Sequence, residues 1–123
     1  MEILVSHKSS EPIYEQICTQ IKDMVLTGEL SPGDMITSVR ALAKELGIGV
    51  LTVQKAYDRL QKDEVIETVV GKGSYITERN VAGIEDQKHQ IIENKAMEFI
   101  EIAKKYGVDK KSLLKLVDLL YDD

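Results

Sequence analysis

Apolar residues fall at Ile13, Ile17, Ile21, Met24 and Val25, a 3.6-residue recurrence that predicts a helix with one buried face. Ser10 or Glu11 can cap it, and Pro12 suits its first turn, where the missing N–H would have no partner anyway. Gly28 stops it, and the Pro-Gly turn of LSPGD reverses the chain. A second, short helix is expected from about Ser38 to Leu46, capped by Ser38, with Val39, Leu42, Ala43 and Leu46 inward and Gly47 at its end. Three residues on, a third helix runs to about Lys62 or Asp63. Val53, Ala56, Tyr57 and Leu60 form its apolar face, so Thr52, Gln54, Lys55, Asp58, Arg59 and Lys62 lie wholly or partly outward. Small Ala56 lets another helix approach closely.

The period then drops to about two. VIETVV and SYIT are strand-like, rich in β-branched residues, and Gly71-Lys72-Gly73 between them predicts a short hairpin with a basic tip. From Val81 the helical pattern returns. Ile92, Phe99 and Tyr106 are seven apart with Ala96 and Ala103 between them, while Ile84 and Ile91 extend the same broad face, and Gly107 ends the helix. Asp109 can cap a last helix in which Leu113, Leu116, Val117 and Leu120 face one way. Two helices cannot bury that much apolar surface alone; they need the first domain or a second copy of themselves. We therefore expect an α+β, mainly helical chain with a first domain over 1–77 and a helical region over 78–123. Ile92, Ala96, Phe99, Ala103, Tyr106, Leu113, Leu116, Val117 and Leu120 are read as the seam of a homodimer. A small effector pocket among these helices is the alternative, though no polar residues converge there.

Composition narrows the class. The 123 residues are 43% hydrophobic and 30% charged, the balance of a soluble globular protein, and no apolar run nears the roughly 20 residues that span a bilayer. MEILVSHKSSEP lacks the apolar stretch of a signal peptide, so a cytoplasmic location is expected. The lone Cys18 excludes an internal disulfide framework and reads as a packing residue. Charge is the awkward feature: the net value is −5, with −3 over residues 1–80 and −2 over the rest. Any nucleic-acid binding must gather its positive charge locally, because phosphate neutralisation supplies much of the affinity.

Helix, short helix, tight turn, helix, hairpin is the order of a winged helix-turn-helix, whose third helix fits the major groove. PIYEQI, GELSPGD, SVRALAKELGI, TVQKAYDRL and GKGSYI resemble, in order and spacing, the DNA-binding domain of GntR-type bacterial transcriptional regulators. The match covers residues 12–77, and the two-helix remainder resembles the short YtrA subfamily; longer members carry a large further domain for which this chain has no room. The resemblance implies a regulator, a repressor, that binds double-stranded operator DNA as a dimer. It places Arg40 on DNA backbone and bases, Thr52 on a phosphate, Gln54 and Lys55 as the outward pair of the recognition helix, with Arg59 further along it, and Gly71, Lys72 and Gly73 at the wing tip. Four features differ from the family pattern. Thr37 stands where proline is usual, Gly49-Val50-Leu51 replaces a polar trio, Glu64 takes a position that favours glycine, and Val70 one that is often arginine.

Other chemistry finds little support. His7 and His89 are isolated, with no second His or Cys at ligand spacing, so no metal or cofactor is called for. GKG is too short for a phosphate-binding loop, and no nucleophile–base or paired-carboxylate constellation is present, so no enzyme is expected. The acidic balance and the apolar Gly49–Leu51 turn keep one rival open: a winged-helix protein-interaction module with weak or no DNA binding.

Overall fold

Five helices and one antiparallel hairpin follow from these periodicities: α1 (Ile13–Leu26), α2 (Val39–Leu46), α3 (Val50–Lys62), β1 (Ile66–Val69), β2 (Gly73–Ile76), α4 (Val81–Lys105) and α5 (Lys110–Tyr121). The class is α+β and mainly helical. This is a computed structural model describing residues 1–123, and it divides into two compact units, Met1–Glu85 and Asp86–Asp123.

In the first unit, the inward faces of the first three helices meet. Ile17 and Ile21 of α1, Leu42 of α2 and Val53 and Leu60 of α3 are essentially inaccessible, and Ile66 and Ile76 close the core from the hairpin. Ala56 permits the close approach its size implied: the Cys18 thiol reaches over from α1 to donate to the Ala56 carbonyl at 3.3 Å. Burial raises the thiol's pKa, as befits a packing residue. Hairpin register pairs Ile66 with Ile76 and Val69 with Gly73.

Three local features depart from the sequence expectations. Pro12 itself occupies the α1 cap in extended conformation, with no side-chain cap bond; Ser10 and Glu11 do not cap, and the Glu11 N–H donates instead to Ser9 Oγ at 3.1 Å. Residues 33–36 also do more than turn the chain. The Ile36 N–H donates to the Ser74 carbonyl at 2.9 Å and the Ile76 N–H to the Asp34 carbonyl at 2.8 Å, so this segment lies along the second edge of β2. Finally, the N-terminal segment is fastened by glutamines. Gln20 bonds both backbone groups of Leu4, and Gln16 both of Ser6, at 2.6–2.9 Å, which holds Ile3 in the core. Each amide side chain stands in for a strand's peptide group.

Helix α4 begins within the first unit, where Ile84 packs against that core rather than sharing the exposed face of Ile91. The second unit holds the rest of α4 and α5. Gly107 ends α4 in left-handed conformation (φ 72°), and the Asp109 carboxylate caps α5 by accepting the Ser112 N–H at 2.9 Å. That bond also lowers the Asp109 pKa. Ala103 is this unit's one buried side chain. No helix of the chain is long and apolar enough to cross a membrane.

Candidate nucleic-acid interface

The approach to α3 is built from glycines. Gly47 ends α2 in left-handed conformation (φ 65°), and Gly49 starts α3 with its carbonyl accepting the Thr52 N–H at 3.2 Å but with no side-chain cap. Without a polar capping side chain, the first turn presents apolar groups: Val50 is 44% exposed and Leu51 84%. Thr52 is half-buried, whereas Gln54 and Lys55 are exposed. Gln54 Nε2 donates to Asp58 Oδ1 at 2.8 Å, one turn on, which fixes the amide's orientation. The Lys55 ammonium sits 4.0 Å from the centre of the Tyr14 ring, a cation–π arrangement that restrains the side chain without neutralising it.

Arg59, expected beside these groups, is engaged elsewhere. Its Nε lies 3.3 Å from Asp63 Oδ2, the same oxygen that Lys22 of α1 approaches at 2.9 Å. The Lys22 hydrogen bond, ahead of the charge of Lys22 and Arg59, holds the Asp63 pKa below its ordinary value. Arg59 therefore belongs to a clamp between α1 and the end of α3.

Arg40 is the second residue of α2, exposed and in no ion pair. Its setting is fixed from behind by Tyr57, whose buried hydroxyl donates to the Thr37 carbonyl at 2.5 Å, and by Ser38, which accepts the Ala41 N–H at 3.2 Å. Burial raises the Tyr57 pKa, so the hydroxyl stays a donor. At the wing tip, Gly71 (φ 76°) and Gly73 (φ 100°) take conformations that disfavour other residues, and the Lys72 N–H closes the turn on the Val69 carbonyl at 2.9 Å. The Tyr75 hydroxyl donates to the Lys72 carbonyl at 2.7 Å, which stiffens the tip below an exposed Lys72 side chain. Val70 beside it is 96% exposed. At the base, Arg79 pairs with Glu67 of β1.

Three positioning residues escaped the sequence reading: Asp58, and the hydroxyls of Tyr57 and Tyr75. Their signal was chemical rather than periodic, since a tyrosine at the edge of an apolar face needs a partner for its hydroxyl.

Among the expected dimerisation residues, Ile92, Ala96, Phe99, Tyr106, Leu116, Val117 and Leu120 are exposed and Leu113 is partly so. Ala103 differs: it is 5% exposed within a single copy, and its carbonyl accepts the Val108 N–H at 2.8 Å. Phe99, Ile100, Leu113, Leu114 and Val117 line an apolar groove of about 400 Å³ between α4 and α5. Its polar neighbours are lysines, Lys104 and Lys110.

This order of helices with a hairpin whose tip is basic defines a winged helix-turn-helix. The model for bacterial regulatory proteins of the gntR family matches residues 13–76, and the chain belongs to that family. It is 38% identical over 111 residues to the HTH-type transcriptional repressor YtrA of Bacillus subtilis (strain 168), covering 90% of this chain and 85% of that protein. A crystal structure of a transcriptional regulator from Oenococcus oeni superposes with a TM-score of 0.77 at 31% identity, covering 95% of this chain and 97% of that one. The AraR DNA-binding domain, solved in complex with operator ORX1, shares the fold at a TM-score of 0.56 and 24% identity, over 63% of this chain and 96% of that one.

Proposed function

We propose that this chain is a sequence-specific, double-stranded-DNA-binding transcriptional regulator of the YtrA type, a repressor that occupies a palindromic operator as a homodimer in the cytoplasm. Residues 1–77 carry DNA binding and residues 78–123 carry dimerisation; no catalysis is involved. The observation that carries the reading is where the unpaired cations lie. Lys22, Arg59 and Arg79 are held by carboxylates, while Arg40 and Lys44 of α2, Lys55 and Lys62 of α3, Lys72 of the wing and Lys8 of the N-terminal segment are exposed and in no ion pair. Five of these six fall on α2, α3 and the wing, so an acidic unit keeps on those elements the local positive charge that phosphate binding requires. Thr52 and Gln54 supply polar contacts on α3, and Gly71 and Gly73 let the wing backbone approach DNA. Arg59 enters only if DNA competes with Asp63 for it. In the second unit, an open apolar groove supports pairing with a second copy, and two-fold pairing matches a palindromic site.

A mobility-shift titration with DNA from upstream of the protein's own reading frame tests this. Binding should weaken steeply with salt, and Arg40→Ala or Lys72→Ala should each reduce the slope of log affinity against log salt by about one. The exposed Val50, Leu51 and Val70 favour the second reading, a winged-helix protein-interaction module. Absent or salt-insensitive binding at micromolar protein would decide for it.

A further inference from the structure

We propose that Leu51 and Gln54 form a reading pair for an A·T-containing step, with Leu51 against a thymine methyl and Gln54 on an adjacent adenine. This rests on the DNA-binding reading above and names what that site prefers. The first turn of α3 carries Leu51 with 84% of its surface open, in a unit where Leu30, Leu42 and Leu60 are buried and Leu26 and Leu46 half-buried. Leu4 is the other open leucine, and it lies in the N-terminal segment rather than on a helix. Gln54 stands three residues on, and residues three apart share a helix face. In the major groove, thymine displays a C5-methyl and adenine an N7 acceptor with an N6 donor, so an apolar side chain and an amide are the complementary pair.

Asp58 sharpens the chemistry. A carboxylate can only accept, so the 2.8 Å bond requires the Gln54 NH₂ to face it. One N–H is thereby used. The second N–H and Oε1 remain for adenine N7 and N6, and the amide cannot turn over to offer the reverse pattern without losing Asp58. Asp58 is thus a positioning residue, and it also disfavours a phosphate or a guanine O6 nearby by its charge. Lys72 at the wing tip supplies flanking attraction to the backbone that is indifferent to sequence.

The experiment begins by selecting bound sequences from random duplex DNA with the full chain. Thymines of the selected half-site are then replaced one at a time by uracil, which removes only the methyl, and adenines by 7-deazaadenine, which removes only the N7 acceptor. At one thymine per half-site the loss should be about fourfold, the effect of one methyl-sized apolar contact. Leu51→Ala should abolish that sensitivity while keeping its unfolding midpoint, since the side chain is open to solvent. Gln54→Ala should likewise remove the response to 7-deazaadenine and keep the response to uracil. Selected DNA that binds equally well with uracil everywhere overturns the inference and leaves the regulator reading standing. So does a Leu51→Ala protein that still senses the methyl. If the unaltered chain retains no DNA at all, the regulator reading falls and this inference with it.

Discussion

The two units use the same helical periodicity to opposite ends. In Met1–Glu85, the apolar stripes of α1 and α3 are turned on each other, and Ile17, Ile21, Val53, Ala56 and Leu60 have no accessible surface. In Asp86–Asp123, an equally regular stripe leaves Ile92 at 70%, Tyr106 at 72% and Leu120 at 60% exposure. Periodicity states which face of a helix wants covering, but it does not state what covers it. One unit answers from within its own chain. The other presents its stripe to solvent, which a lone pair of helices does not sustain without a further surface to bury against.

The largest effect should come from the self-sufficient unit. Truncating Leu60→Ala leaves a void in a fully closed core and should cost about 2–5 kcal/mol in denaturant unfolding, independent of protein concentration. The comparison breaks if that cost changes with dilution, because the core would then depend on a second copy. On the other side, Phe99→Asp puts a charge into the apolar groove between α4 and α5. It should weaken self-association by at least about 100-fold in sedimentation equilibrium while the first unit's unfolding stays unchanged. A dimer unaffected by Phe99→Asp would mean that the groove faces something other than a second copy.

A smaller effect sharpens the account of the first unit, whose cohesion tolerates a local cost. Glu64, just after α3, has a φ of 60°, and it is the chain's one non-glycine residue in the left-handed region. A side chain there costs roughly 1–2 kcal/mol, part of which glycine would return as unfolded-state entropy. Glu64→Gly should therefore raise unfolding stability by about 0.5–1 kcal/mol. A decrease would show that the Glu64 side chain makes a compensating contact.

Much of this was legible in the sequence because it is local. The five helices, their glycine stops and the hairpin follow from periodicity and turn chemistry, and the outward position of Gln54 and Lys55 follows from the inward one of Val53, Ala56, Tyr57 and Leu60. What escaped depends on partners distant in the chain. Nothing in MEILVS announces that Gln16 and Gln20 will hold it, and nothing in GDMI announces the outer edge of β2. Ile84 continues the spacing of Ile91 but belongs to another core, because a stripe on a long helix can change its cover partway. Arg59 read as one more outward base until Asp63, four residues on, and Lys22 came together around it.

That cluster supplies the smallest and most discriminating prediction. Lys22 and Arg59 share Asp63 Oδ2, and the Lys22 hydrogen bond is the leading cause of the lowered Asp63 pKa. A carboxylate whose pKa is lower folded than unfolded adds stability above its unfolded value, near 4, and that stability is lost as pH falls through the folded value. Acidification from neutral should thus erode the first unit below about pH 4 by a fraction of a kcal/mol, as for a partly exposed pair. Lys22→Met should flatten this acid limb while leaving the groove between α4 and α5 untouched, since every member of the clamp lies within Met1–Glu85. The same substitution leaves Arg59 as the sole cation on Asp63. If the limb persists in Lys22→Met but vanishes in Arg59→Met, the arginine holds the carboxylate. If it persists in both, the acid sensitivity comes from another carboxylate, and the clamp contributes nothing to what makes this unit stable alone.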